Sequence, residues 1–381
     1  VAAKAKPARA TPAPKVAQPR PAEKKVAPRP AAPKKVKTRA RTALKLLRSR
    51  VSRARLDSVR KPPRGSAFDR SKSHFQPAAG ELQAFRKIRR DPVPKKLALD
   101  KHFLISNEIH HELFRRSIKG LGGIYLGVGT DQNYVLAGWS RPDYLIMMDF
   151  DQWVVDLHKV YFLIFEHAAT PKAFLALWSP AQKGKLLKLI NARYGKKSWP
   201  IRLVLSRSHR QVYRRLKKIQ ERYAQLEVPI FLTDQRQYDL IRKLIRAQRA
   251  IAVRGNLLGH RTMRSIGRFS RKYKRVVRTF YISNAEEYAK YHFPFKRNIR
   301  ALNMDDRSLL LRTLPFGGIQ TRYWTYYTQR LKDFRIWMNK SRLLWVRTLV
   351  GWGRKKHDGF MHLTHMPKRY RARRAKAKKK K

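Results

Sequence analysis

Short apolar runs that end in glycine or acid, each followed by a helical pattern, organise the middle of this chain. Gly122-Gly123-Ile124-Tyr125-Leu126 runs into Gly127-Val128-Gly129-Thr130-Asp131, and residues 132–139 then read as the start of a helix. A second run, Tyr144-Leu145-Ile146-Met147-Met148, ends in Asp149-Phe150-Asp151. Beyond it Trp153, Val154, Leu157, Val160, Tyr161, Ile164 and Phe165 recur at three and four residues, the period of an amphipathic helix packed on a sheet. Further strands are expected at 201–205, 229–232, 250–253 and 276–282, separated by helices at 208–226, 234–248 and 262–272. Strands alternating with helices predict an α/β sandwich.

The flanks have a different composition. Residues 1–36 repeat Ala, Pro and Lys with Glu23 as the only acid, which offers too little apolar surface to order a core, so a disordered arm is expected. Residues 37–99 read as a basic amphipathic helix, with Leu47, Val51, Ala54 and Leu56 on one face, followed by a linker. The α/β domain is placed at 100–340, and a basic aromatic helix with a disordered Lys/Arg tail at 341–381. In the approach to that tail Leu331, Phe334, Met338, Trp345 and Trp352 keep near-helical spacing and are assigned to packing, leaving one or two of the neighbouring rings free to stack on a base.

Charge changes the picture from a generic α/β protein to one with a polyanionic partner. The chain holds 90 Lys and Arg against 24 Asp and Glu, a formal charge of +66. Self-repulsion on that scale opposes compaction unless counter-charge arrives from elsewhere. A phosphate backbone would supply it, and so would an anionic membrane surface. No apolar run approaches the roughly 18 residues of a spanning helix. The chain contains no cysteine, which excludes disulfides, thiolate metal sites and the nucleophile that cytosine-C5 methylation needs. The tails do not account for the excess, since residues 100–366 keep 51 bases against 19 acids. Residues 121–158 carry one base, Arg141, against Asp131, Asp143, Asp149, Asp151 and Asp156, whereas residues 240–283 carry 13 bases and no acid. Arg261, Arg264, Arg268, Arg271, Lys272, Lys274 and Arg275 are the expected phosphate contacts, with Arg369 and Arg371 in the tail.

The acidic island is the candidate cofactor site. Glycines after a strand let a ligand approach the backbone at a helix N-terminus, and an acid about 20 residues on is placed to grip a ribose. Gly127, Gly129, Asp131, Gln132, Asp149 and Asp151 are the candidates, Gln132 standing where a dinucleotide fingerprint has its third glycine. The glycine turn and the run MMDFDQWVVDLH resemble the first two motifs of class I S-adenosylmethionine-dependent methyltransferases. That resemblance implies a Rossmann-like, methyltransferase-type α/β sandwich in which Gly127 and Gly129 border the methionine part and Asp149 holds the ribose. Many members carry an acid where this chain has Tyr125 and a third glycine where it has Asp131. GGIYLGVGTDQNYVLAGWSRP, MDFDQWVVDLH and YISNAEEY also look like a little-characterised bacterial family of Rossmann-like proteins.

If the resemblance holds, Arg254-Gly255-Asn256-Leu257-Leu258-Gly259 follows the fourth strand, where methyltransferases place the residues facing the transferred methyl. Ser283-Asn284-Ala285-Glu286-Glu287-Tyr288 would follow the fifth. Asn256 and Asn284 are candidate catalytic amides, and Glu286 and Glu287 candidate bases. The Asn/Asp-Pro-Pro-aromatic motif of exocyclic amine methylation does not occur. His110 and His111 are adjacent, so on a helix they diverge by about 100° and cannot share a metal as an i, i+4 pair can. No metal site is expected. Three functions remain open: a nucleic-acid-associated protein, RNA before DNA and the ribosome included, on a methyltransferase-like domain without activity; an active methyltransferase acting on RNA or another acidic substrate; and a protein of anionic membrane surfaces. An intracellular setting, cytoplasmic or nucleoid- or ribosome-associated, is expected, and the acid-poor, Arg-rich start is also compatible with a processed protein of the mitochondrial matrix. Oligomeric state is not legible.

Overall fold

A computed structural model describes residues 75–315, 324–352 and 360–362, all within the second of the chain's two units, His74–Lys381. The arm at 1–36, the helix expected within 37–61, and Arg369 and Arg371 lie outside the described residues. The helices are α1 (Glu81–Arg86), α2 (Glu112–Ile118), α3 (Gln132–Ser140), α4 (Gln152–His167), α5 (Pro171–Leu177), α6 (Lys183–Tyr194), α7 (Ser198–Gln225), α8 (Gln235–Arg246), α9 (Thr262–Lys272), α10 (Phe293–Ala301), α11 (Leu331–Trp337) and α12 (Val346–Trp352). The strands are β1 (Ile124–Val128), β2 (Tyr144–Asp149), β3 (Ala250–Arg254), β4 (Val277–Ser283), β5 (Leu309–Leu314), β6 (Thr325–Arg330) and the three-residue β7 (Phe360–His362).

The strands form one mixed sheet in the order β3-β2-β1-β4-β5-β6-β7. The first five run parallel, β6 pairs antiparallel with β5, and β7 pairs parallel with β6. This α/β architecture is compatible with a Rossmann-like arrangement, in which strand order reverses between β1 and β4 and opens a crevice at their carboxyl ends.

Parallel strands covered on both faces read as near-continuous apolar runs, and the two faces of this sheet feed separate cores. Tyr125, Leu145, Met147, Tyr281, Leu311 and Tyr326 pack with α2 to α8 on one side. Ile124, Leu126, Ile146, Met148, Phe280 and Leu310 pack with α9 to α12 on the other. Asp151 begins α4 by accepting the Trp153 N–H at 2.9 Å, and Thr170 caps α5 just before Pro171, so short polar signals set where each helix starts.

Two expected strands are absent among the described residues. Ile201 to Leu205 belong to α7, where Ile201, Val204, Leu205, Val212, Leu216 and Ile219 are buried at helical spacing. The five-residue run Ile201-Arg202-Leu203-Val204-Leu205 is too short to show that period. Residues 229–232 form a turn braced by the Ile230 N–H donating to Thr233 Oγ1, although Ile230, Phe231 and Leu232 are buried. The strands at 250–254 and 277–283 therefore become the third and fourth. The aromatic stretch also divides: Tyr326 and Tyr327 lie in β6, and Leu331, Phe334 and Met338 are buried on or just after α11, as their packing assignment required, whereas Trp345, assigned with them, is exposed just before α12.

The domain also reaches beyond 100–340. Phe85 of α1 packs against Tyr144 and Phe269, Glu81 pairs with Arg275, and the sheet continues to Phe360–His362.

Candidate ligand pocket and cationic surfaces

A cavity of about 240 Å³ opens at the carboxyl ends of β1, β2 and β4. Gly129, Thr130 and Gln132 line it from the first turn, Asp149 and Asp151 from the second, and Ser283 and Asn284 from the end of β4. A segment at 99–108 contributes Lys101, Phe103, Ile105 and Glu108, and Trp324 also lines the cavity. This is the crevice at which open α/β sheets take ligands.

The turn after β1 is held from within. Gly129 has φ 94°, a left-handed conformation that favours glycine, and its N–H donates to Asp149 Oδ2 at 3.2 Å. His158 Nε2 meets the Gly129 carbonyl at 2.8 Å and its Nδ1 meets the Tyr134 hydroxyl. Burial lowers the His158 pKa to about 4, so the ring is neutral and donates to that carbonyl. The missing side chain of Gly127 serves the fold: a Cβ there would stand 2.0 Å from Asn133 Oδ1, the atom that accepts from the Tyr125 hydroxyl. Tyr125 thus anchors the helix after the turn.

Among the sequence candidates for a cofactor, Gly129, Gln132, Asp149 and Asp151 line the cavity, whereas Gly127 and Asp131 do not. Asp131 is buried, accepts Arg215 Nε and the Ser106 N–H at 2.9 Å each, and ties α7 and the 99–108 segment to the first turn. Asp151 faces His102, whose Nδ1 lies 2.8 Å from Oδ2 and whose ring stacks on Trp153. Among the described residues Asp149 has no cationic partner. Burial pushes its pKa up to about 7, with the Asp151 charge adding to the rise and the N–H groups of Asp151 and Gly129 opposing it.

The catalytic candidates separate in the same way. Arg254–Gly259 follows the third strand, not the fourth, and Asn256 Oδ1 accepts the Leu258 N–H within its own loop. Ser283 to Tyr288 follows the fourth, so Ser283, Asn284, Ala285 and Tyr288 line the cavity. Glu286 lies outside it, fully buried against Arg312 and Tyr291. Glu287 is half-buried beside Asn284; burial raises its pKa. Sequence reasoning missed Glu108, which is buried between the cavity and β4 and β5. It accepts from Ser283 and Thr313 at 2.7 and 2.6 Å and from the Tyr281 hydroxyl, and meets His111 Nε2 at 2.8 Å. Burial alone would raise its pKa, but His111, Thr313 and Tyr281 together hold it below the usual range. Only its contacts mark it, because no local motif surrounds it.

The sequence profile of a family described as "Domain of unknown function (DUF7790)" matches residues 103–364. The chain belongs to this family. No curated protein matches it. The matched span holds all seven of the described strands and most of the cavity lining, so in this chain the pocket lies largely within the DUF7790 domain.

Outside the pocket, the expected phosphate-binding face is partly engaged in holding the DUF7790 domain together. Arg275 pairs with Glu81 at 2.6 Å, Arg271 donates to the Ala301 carbonyl, and Arg264 is half-buried. Arg261, Arg268, Arg271, Lys272 and Lys274 remain exposed. Among the described residues no cluster of three His, Asp or Glu could hold a metal, and no helix is long and apolar enough to cross a membrane.

Proposed function

We propose that this chain is a nucleic-acid-associated protein, with RNA as its partner, built on a Rossmann-like domain of methyltransferase type. One observation carries the reading: folding removes acid from the surface and leaves base on it. Eight described carboxylates are buried, those of Glu81, Asp91, Glu108, Asp131, Asp149, Asp151, Asp156 and Glu286, against three described cations, Arg215, Arg249 and Arg312. A charged face that is merely solvated carries both signs. Here the acids are turned inward as caps and ion pairs, so the outer surface is more basic than the composition alone suggests. Counterion release from a phosphate backbone is the interaction such a surface favours.

The test is binding of the purified full chain to RNA, DNA and anionic vesicles across a salt series. A steep linear fall of log affinity with log salt for RNA is expected, together with weak vesicle binding. Salt-independent binding, or preference for vesicles, would sink the reading.

The pocket favours a second reading, an active S-adenosylmethionine-dependent methyltransferase. With two expected strands gone, Ser283-Asn284 occupies the position after the fourth strand where the methyltransferase resemblance places the residues facing the methyl. Asp149 occupies the position of the ribose-binding acid. A hydroxyl pair and a nearby sulfonium would offer Asp149 the partners it lacks, and Asn284 an amide beside the methyl acceptor. Titration with S-adenosylmethionine decides this reading, and absence of binding at millimolar cofactor removes it while leaving the RNA reading untouched.

A further inference from the structure

The longest acid-free stretch of the chain is not the one at 240–283. Residues 167–220 contain 14 Lys and Arg and neither Asp nor Glu. They fold mainly as α6 and α7, joined by the single turn Gly195–Lys197, and both helices bury an apolar stripe in the same core through Leu186, Ile190, Val204, Leu205, Val212 and Leu216. The opposite face is therefore turned to solvent. Along α7 it presents Arg207, Arg210, Arg214, Lys217 and Lys218, all exposed and at helical spacing. None of them pairs with a carboxylate among the described residues, and on the whole stretch Arg193 and the buried Arg215 are the two that do. At the N-terminal end of the stripe stands Trp199, 64 % exposed, beside the exposed Lys196 and Lys197.

A Trp left in water next to unpaired cations is costly for a protein that has a large core in which to place it. The arrangement suits one class of ligand. An indole face stacks on a nucleobase irrespective of its identity, while cations spaced along a helix track the phosphates. In a duplex the bases are already stacked on each other, so a protruding ring finds a partner only where bases are unpaired. From Trp199 to Lys218 the stripe is about 28 Å long at roughly 1.5 Å per residue, enough for several nucleotides.

We infer that the outer face of α6 and α7 is a docking surface for unpaired RNA, with Trp199 as the stacking platform and Arg207, Arg210 and Arg214 as phosphate contacts. The inference rests on the reading of the chain as RNA-associated and names the surface that reading leaves unspecified.

The full-length chain and its variants are titrated with a short oligouridylate, with a duplex of equal length and with phosphatidylserine vesicles. The oligouridylate is then substituted with 4-thiouridine and photocrosslinked, and the crosslinked peptides are mapped. Because the basic flanks also carry charge, the map is decisive. A crosslink to the peptide containing Trp199 is expected. Trp199→Ala should weaken oligouridylate binding about tenfold without changing the salt slope, and Trp199→Phe should restore most of it. The triple variant Arg207→Gln/Arg210→Gln/Arg214→Gln should reduce the salt slope by about 2, near 0.7 per phosphate contact on a single strand. Circular dichroism confirms that these exposed substitutions leave the fold intact.

If the wild-type chain binds RNA but the crosslinks fall outside residues 183–218, or neither variant differs from wild type, the docking surface is overturned and the broader reading stands. Equal affinity for the duplex with no effect of Trp199→Ala overturns it too, as does loss of vesicle binding, but not RNA binding, in the triple variant. If the wild-type chain binds no nucleic acid, both readings fall together.

Discussion

Glu286 is the sharpest case in which the structure assigns a candidate catalytic residue to the fold instead, and a double-mutant cycle tests that assignment. Arg312 on β5 has no solvent exposure; its Nε lies 2.5 Å from Glu286 Oε2, its Nη1 lies 2.8 Å from Gln329 Oε1, and its guanidinium sits 5.0 Å over the Phe334 ring. Tyr291 donates a further hydrogen bond to Glu286 at 2.5 Å. Arg312→Leu leaves the carboxylate buried with the Tyr291 hydroxyl alone, and breaking a buried pair in this way costs about 3–5 kcal/mol. The orphaned Gln329 oxygen adds about 1 kcal/mol. Against a typical total of about 5–15 kcal/mol, the single variant should be severely destabilised. Arg312→Leu/Glu286→Leu removes both charges, so it should recover at least half of the loss, giving a coupling of about 2 kcal/mol or more. Urea unfolding followed by circular dichroism measures all four corners of the cycle. A single-variant loss below about 1 kcal/mol, or strictly additive losses, would refute the reasoning, because either result means the pair is not the buried, mutually dependent unit described.

Three further outcomes follow from the pocket and its supports. Gly127→Ala places a methyl 2.0 Å from Asn133 Oδ1 and 2.6 Å from the Tyr125 ring, so thermal melting should show a loss of about 1–3 kcal/mol with no ligand present. Asp149, with its pKa raised to about 7 from an ordinary 3.8, holds its proton in the folded state across that window, so its ionisation removes stability as pH rises through it. Compared at pH 4 and pH 8 by urea unfolding, Asp149→Asn should gain on wild type by an amount on the order of 4 kcal/mol, and a pH-independent difference would contradict the raised pKa. Glu108 behaves oppositely. Its folded pKa lies below the ordinary 4.5, so its contribution is present above that value and lost as pH falls through the lower one; acid unfolding should be steeper in wild type than in Glu108→Gln.

The legible parts of the fold were those in which local pattern and tertiary environment agree. The strands at 124–128 and 144–149 and the helix after each were readable because glycine or acid punctuates an apolar run that a parallel sheet then buries on both faces. Ile201 to Leu205 was not readable, since β-branched residues serve a buried helix stripe as well as a strand. That ambiguity, together with the turn that stands at 229–232, shifted the strand count and left Asn284 rather than Asn256 after the fourth strand. The acidic island was visible as composition, but its members part company in space: Asp149 and Asp151 face the cavity, Asp131 faces Arg215 from a helix more than 80 residues away, and Asp143 accepts the Gly123 N–H. Glu108 could not have been found, because its partners come from β4, β5 and a histidine three residues on.

Sequence by itself determined that the chain is strongly basic, lacks cysteine, and carries an α/β core with a glycine turn and a spaced acid, since these depend on counts and on periods of a few residues. Tertiary structure alone decided which charges remain available. An ion pair needs two groups within about 4 Å, and chain separation says nothing about that distance. Folding therefore chose Glu81 for Arg275, Asp131 for Arg215 and Glu286 for Arg312, and left Arg207, Arg210 and Arg214 of α7 exposed without a carboxylate partner among the described residues.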